Sequence, residues 1–311
     1  MPWEQKGFIF KPSGLHSWSR THAQVPSVLL LDDRIRVYYA TRDEQGRSLT
    51  SFIEVDARNP SNVLYEHPYP VMELGKPGTH DEDGVMVGCI VREAGEVRMY
   101  YTGWSKGGSV PYRVSCGLAI SLDDGISFQR AFDGPVVDRT RFEPHMTMSP
   151  YVLKEGGHWH MWYGSGLGWV NIEGVWEPTY AIKYAESKDG LLWDQPNQLC
   201  IPQTHVLEAN TRPTVLRSEN GYEMWFSYRH SQNFRGGSGA YRIGYATSED
   251  AVTWHRQEDP KGLQARGEGW NSAMMAYPAL VVVDGRRILF HNGDGFGTSG
   301  FGYAVWEAGT D

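Results

Sequence analysis

The chain has 311 residues, with 29 Lys plus Arg against 37 Asp plus Glu and a formal net charge of −8. That length is ample for a well-buried core, and the absence of any basic run argues against a nucleic-acid partner. No apolar run approaches a bilayer span, the opening "MPWEQKGFIF" lacks signal-peptide organisation, and Cys89, Cys116 and Cys200 have no CxxC spacing, so no membrane, disulfide framework or zinc site is expected.

From the N-terminus, "WEQKGFIF" reads as a single strand without a partner nearby. Five segments of one shape then follow, each a Pro or Gly, an apolar strand, a short polar turn and a strand ending in aromatics. They are "PSVLLLDDRIRVYY" from Pro26, "GCIVREAGEVRMYY" from Gly88, "PYVLKEGGHWHMWY" from Pro150, "PTVLRSENGYEMWF" from Pro213 and "PALVVVDGRRILFH" from Pro278. The anchors lie 62, 62, 63 and 65 residues apart (88−26, 150−88, 213−150, 278−213).

A second hairpin is legible in three units, at "GLAISLDDGISF", "IKYAESKDGLLW" and "IGYATSEDAVTW". Each turns at Asp-Gly or a near relative and then presents a large apolar residue towards the neighbouring sheet. Four strands in each of five units predict an all-β, five-bladed β-propeller forming a single domain over residues 1–311. The last unit lacks a fourth strand, so the N-terminal strand is expected to complete it and close the ring.

In an antiparallel blade the loop entering strand one and the loop joining strands two and three share one end. Here those loops are long and unusual: "TGWSKGGSVPYR", "GSGLGWVNIEGVWEPTY", "SYRHSQNFRGGSGAYR" and "NGDGFGTSGFGY". The turns at the other end are short, so function is expected on the elaborated face. Counting back from the anchors, Asp81 and Glu143 lie seven residues before theirs, and Asp83, His145 and Glu208 lie five before theirs. Blade one offers Arg20, His22 and Gln24, and blade five Glu268, Trp270 and Asn271. Strand one being innermost, these side chains are expected to ring the mouth of a central channel.

The stretches "DEDGVMVGCIVREAGEVRMYYTGW", "HMWYGSG" and "RPTVLRSENGYEMWFSYR", with the repeated SxDGxxW-like turns, resemble the five-bladed propeller glycosidases of glycoside hydrolase families 32, 43, 68, 117 and 130. The resemblance covers essentially the whole chain as architecture and implies acids from successive blades around a sugar pocket. By position Asp81 or Asp83 and Glu143 match that pattern, whereas blade one, "SRTHAQVP", has no acid where those hydrolases usually place one.

Glycosidic cleavage asks for one protonated carboxyl and one that activates water or attacks. Glu143 is the candidate general acid, Asp83 the candidate base or modulator, with Asp81 and Glu208 beside them; the alternative for "HDEDG" is a solvated loop. His22, His80 and His145 with Asp81 or Asp83 form a candidate axial metal set, although no compact spacing supports it and no cofactor is expected. Arg20, Arg212 and Arg229 are candidates to hold a carboxylate or phosphate, with an Arg212–Glu208 ion pair as the alternative for Arg212. Trp104, Trp169 and Trp270 are candidates to stack on a sugar. The expected function is a cytoplasmic carbohydrate-active enzyme cleaving a glycosidic bond in a carbohydrate or glycoconjugate. The alternatives are a glycoside phosphorylase, a non-catalytic sugar-binding propeller, or a metal-dependent lyase, isomerase or cyclase.

Overall fold

The computed structural model describes residues 3–258 and 263–306. Its strands group into five four-stranded antiparallel units. The first strands are Thr21–Leu30, Gly84–Glu93, Thr147–Glu155, Glu208–Ser218 and Ala276–Val283. Each of them packs on the next and the fifth packs on the first, so they form a closed ring about one axis. Units one and two also share a single parallel bridge, Ser48 to Gly84. This is the expected propeller, and Glu4–Phe10 pairs antiparallel with Phe301–Trp306 to complete the fifth unit.

Each interface between neighbouring sheets carries its own apolar cluster. Cys89, Tyr100 and Leu118 of unit two meet Val152, Met161 and Tyr163 of unit three. Trp162, Ile182 and Tyr184 of unit three meet Met224, Phe226 and Trp254 of unit four. The fifth unit closes on the first through Phe290 and Tyr303 against Val37 and Tyr39. Both faces of the inner strands are therefore covered over most of their length, which explains runs such as "VLLL" and "ALVVV" that do not alternate, although Leu30 and Val282 near the strand ends are exposed.

The repeated Ser-x-Asp turns lock one unit to the one before it. Ser121, Ser187 and Ser248 each donate to the Asp two residues on, and the Asp oxygens accept following backbone N–H groups. At Asp250, burial would raise the carboxyl, but the N–H groups of Thr253 and Val252 hold it down at about 2. The carbonyl at each turn accepts from an aromatic on the second strand of the preceding unit: Tyr38 OH to Gly125 (2.7 Å), Tyr100 OH to Gly190 (2.8 Å) and Trp162 Nε1 to Ala251 (2.8 Å). The aromatic ending each turn, Phe128, Trp193 or Trp254, meets the same ring edge-on.

At the anchors every first strand carries a bulge, with register shifts at Gln24/Ser27, Val87/Cys89, Met148/Tyr151, Thr211/Thr214 and Ala276/Ala279. Val25, Ser149, Arg212 and Tyr277, each just before the anchor proline, have φ of 52°, 52°, 52° and 57°. A left-handed conformation is costly for such residues, above all for β-branched Val25, and a bulge re-aims its side chain. Here all four side chains turn towards the axial cavities.

Trp3 and Phe10 are buried against the fifth unit and its neighbours. Removing the first ten residues is expected to lower the unfolding midpoint and to produce self-association through the exposed edge of Phe301–Trp306. Urea denaturation and size-exclusion chromatography read both; an unchanged midpoint would contradict the closing role of this strand.

Candidate active site

The acids picked out in the sequence do not ring the channel. Asp81 is 0% exposed and accepts from Tyr101 OH (2.9 Å), Arg130 Nε (2.7 Å) and Thr79 Oγ1 (3.0 Å). Glu143, also 0% exposed, accepts from Tyr163 OH on both oxygens (2.9 Å each) and from Gln195 (3.1 Å), with Lys183 Nζ at 3.4 Å. Glu208 is bonded by Thr204 and ion-paired with Arg256, not with Arg212. In units two and four the cation comes from the outermost strand, Gln129–Arg130 or His255–Gln257.

These acids thus pin the entry loop to the flat face of its own sheet. The expectation that Asp81, Glu143 and Glu208 converge at the axial mouth is corrected: their oxygens are consumed inside the sheets, and none lines either axial cavity. Asp83 accepts from the Lys106 backbone (2.8 Å) and lies 3.4 Å from its ammonium, likewise outside the cavity lining.

The other candidates divide. His80 stacks on Tyr101 with its Nδ1 4.0 Å from Asp81, and burial lowers its pKa. His145 is half-buried beside Gly166. Among the described residues no three of His, Cys, Asp and Glu come together to hold a metal, so His22, Asp81 and His145 are not gathered as a ligand set. Arg20 forms a surface pair with Glu44 at 2.7 Å. Trp270 stacks on buried His291 and meets Phe8, and buried Asn271 bonds Gln5; both serve the fifth unit instead of a pocket. Trp169 meets Tyr112 edge-on at 5.3 Å, behind the cavity wall.

Two adjoining cavities of about 280 and 210 Å³ occupy the axis at the elaborated face. Gln24, Arg42, Tyr112, Tyr180, Tyr241 and Tyr277 line both. Trp104, Met86 and Met148 belong to the larger; His22, Glu177, Arg229 and Arg235 belong to the smaller. Of the sequence candidates, His22, Gln24, Arg229 and Trp104 therefore reach this pocket. Burial raises the phenols of all four tyrosines, so they act as neutral hydroxyls. Burial, and then nearby Arg42, holds the His22 imidazole down at about 4; it too is neutral, with Nε2 2.9 Å from Thr298 Oγ1.

Arg229 donates to Tyr180 OH (3.1 Å), Tyr241 OH (3.3 Å), Ser231 Oγ and the Pro178 carbonyl, while the two phenols bond each other. Glu177, 6% exposed, is the one carboxylate in the lining and pairs with Arg235 at 2.6 Å. Below the pocket, Arg212 reaches across the axis to the carbonyls of Val25, Pro26, Val87 and Gly88. A third cavity lies beyond it and shares no lining residue with the larger axial cavity, so Arg212 closes the channel.

Sequence inspection missed Arg42, Glu177 and the tyrosines. A signal existed: Tyr180 and Tyr241 each stand five residues before the equivalent Ala185 and Ala246.

Two measurements test these assignments. Asp81→Ala and Glu143→Ala are each expected to cost about 3–5 kcal/mol of unfolding free energy, because each breaks a buried network and leaves a half-buried Arg130 or a buried Lys183 without its counter-charge; unaltered urea curves would contradict a structural role. Burial holds His291 down at about 4 against about 6.5 unfolded. Between those values the unfolded chain binds a proton that the native state does not, so stability falls as pH drops through that window, by about 3 kcal/mol at its foot. His291→Gln is expected to flatten that slope.

No family model matches the chain. The uncharacterized proteins Rv1502 and MT1551 of Mycobacterium tuberculosis are each 38% identical over 310 residues, covering 99% of this chain and 100% of the relative. Among solved structures, a glycoside hydrolase superposes with TM-score 0.73 at 15% identity, over 99% of this chain and 93% of that one. A structure from the GH130 family of mannoside phosphorylases, which contains glycoside hydrolases that target β-1,2 mannosidic linkages in Candida mannan, gives 0.72 at 16%, over 98% and 93%. A thermostable family-43 glycoside hydrolase gives 0.64 at 17%, over 94% and 90%. At these identities the likeness to the solved structures is one of fold. The chain belongs to the family of the two uncharacterized mycobacterial proteins, on a propeller like that of the glycoside hydrolases.

Proposed function

We propose that the chain is a carbohydrate-active enzyme that cleaves a glycosidic bond in the axial pocket. The observation that carries this reading is the pocket itself, closed below by Arg212 and lined by aromatic faces, hydroxyls and one carboxylate, at the axial mouth of a glycoside-hydrolase-like propeller. Trp104 and the tyrosines offer apolar faces for a sugar ring, and Gln24 and the phenols offer hydrogen bonds to its hydroxyls. Glu177 is the group placed to exchange a proton with the bond being cleaved. With no second carboxylate in the lining, the paired-acid mechanism lacks one partner, so the other half of the reaction falls to a phenol or to a bound anion.

The same shortage of carboxylates favours one rival, a sugar-binding propeller without turnover. Release of reducing ends from a panel of aryl glycosides and oligosaccharides separates the two. Glu177→Gln is expected to lower kcat by about 10²–10⁴-fold while leaving sugar affinity within a few fold. Saturable sugar binding by the unaltered protein with no turnover would support the binding module, and an unchanged kcat would remove Glu177 from the reaction.

A further inference from the structure

Three guanidiniums surround the axial pocket and every hydrogen bond they donate ends on a neutral oxygen. Arg42 donates to Ser48 Oγ (2.6 Å), Gln24 Oε1 (3.3 Å) and the Gly46 carbonyl (3.3 Å). Arg229 is bonded to two phenols, Ser231 and the Pro178 carbonyl, and Arg212 to four backbone carbonyls. No carboxylate among the described residues lies within 4.0 Å of any of them. Arg235, by contrast, is matched by Glu177. Elsewhere the buried charges of this chain are paired, as at Arg36–Glu54, Arg130–Asp81 and Lys183–Glu143.

Arg212 and Arg229 are buried and Arg42 is half-buried; a charge withdrawn from water without a counter-charge is costly and calls for one from outside. The local excess of positive charge also stands out in a chain whose net charge is −8. Burial pushes Arg42 below its ordinary value, as it does Arg212, which lies at about 10, and both remain cationic at neutral pH.

We infer that the ligand of the axial pocket is an acidic sugar, one ring carrying a carboxylate or phosphate, with the ring in the larger cavity and its anion between Arg42 and Arg229 in the smaller. This rests on the carbohydrate reading given above. Arg42 lines both cavities, with its guanidinium 5.5 Å from the Trp104 ring, so a sugar ring held in the larger cavity beside them can direct its substituent to the cationic end. The larger cavity, about 280 Å³, is at the foot of the range of roughly 300–1,000 Å³ common for drug-sized ligands, which suits a single ring. A planar guanidinium with free N–H groups pairs well with either kind of oxyanion.

Isothermal titration of the unaltered protein provides the test, with glucuronate, galacturonate, glucose 6-phosphate, glucose, galactose, inorganic phosphate, and phosphate together with glucose. At least one acidic sugar is expected to bind at least ~10-fold more tightly than its neutral parent. Arg42→Gln is expected to erase that preference, lowering the ratio of acidic-sugar to neutral-sugar affinity by ~10- to 100-fold. Thermal melting without ligand checks that the variant folds, and Arg42→Lys, which keeps the charge, is expected to recover part of the preference. Equal binding of neutral and acidic sugars would overturn the inference while leaving the carbohydrate reading intact. Binding of inorganic phosphate with a neutral sugar, but of no acidic sugar, would assign the anion to a separate ion and overturn it too. Binding of phosphate but of no sugar would defeat the carbohydrate reading itself.

Discussion

The interaction that keys the first four units of this architecture to one another is the bond from an aromatic on one unit to the turn carbonyl of the next. Tyr38, Tyr100 and Trp162 each reach across an interface to Gly125, Gly190 and Ala251. Apolar packing alone would let neighbouring sheets slide, since dispersion has little direction. A buried hydrogen bond fixes the height and angle of each sheet against its neighbour, and the edge-on ring at the end of the turn fills the space beneath it. Three interfaces are set in this way, and apolar clusters at the remaining two, around Trp225 and Leu289 and around Tyr39 and Phe290, complete the ring.

The anchors convert this frame into a pocket. A bulge in four of the five first strands turns one side chain out of the pleat, so the axis is lined by residues that regular alternation would have put into the interfaces. The left-handed backbone at Val25, Ser149, Arg212 and Tyr277 is the strain that accompanies this arrangement. The proline that follows each of them fixes where the strand resumes.

The repeat made most of the fold legible, because Pro or Gly anchors and paired aromatics recur at nearly constant spacing. Unit one was the exception: its outer strands, Ser48–Asp56 and Val63–Glu66, are joined by "ARNPSN", which lacks the Ser-x-Asp signature. The site was much less legible. Sequence position gives a residue's height along the axis but not the direction in which its side chain points. Asp81 and Glu143 lie at the expected height and turn sideways, because Tyr101 and Tyr163, twenty residues on, and the cations Arg130 and Lys183 satisfy them inside the sheet. Arg42 and Glu177 read as ordinary polar residues of strand ends and loops; only the closed ring brings them to one cavity.

Arg212 has a consequence for traffic through the axis. Its guanidinium bars the axis about midway, tied to the backbones of two other units, and the spaces on either side of it have no wall in common. Nothing can thread such a passage. Whatever enters must leave by the mouth through which it came, so the axial space is a cul-de-sac and exchanges its contents with solvent from one side alone.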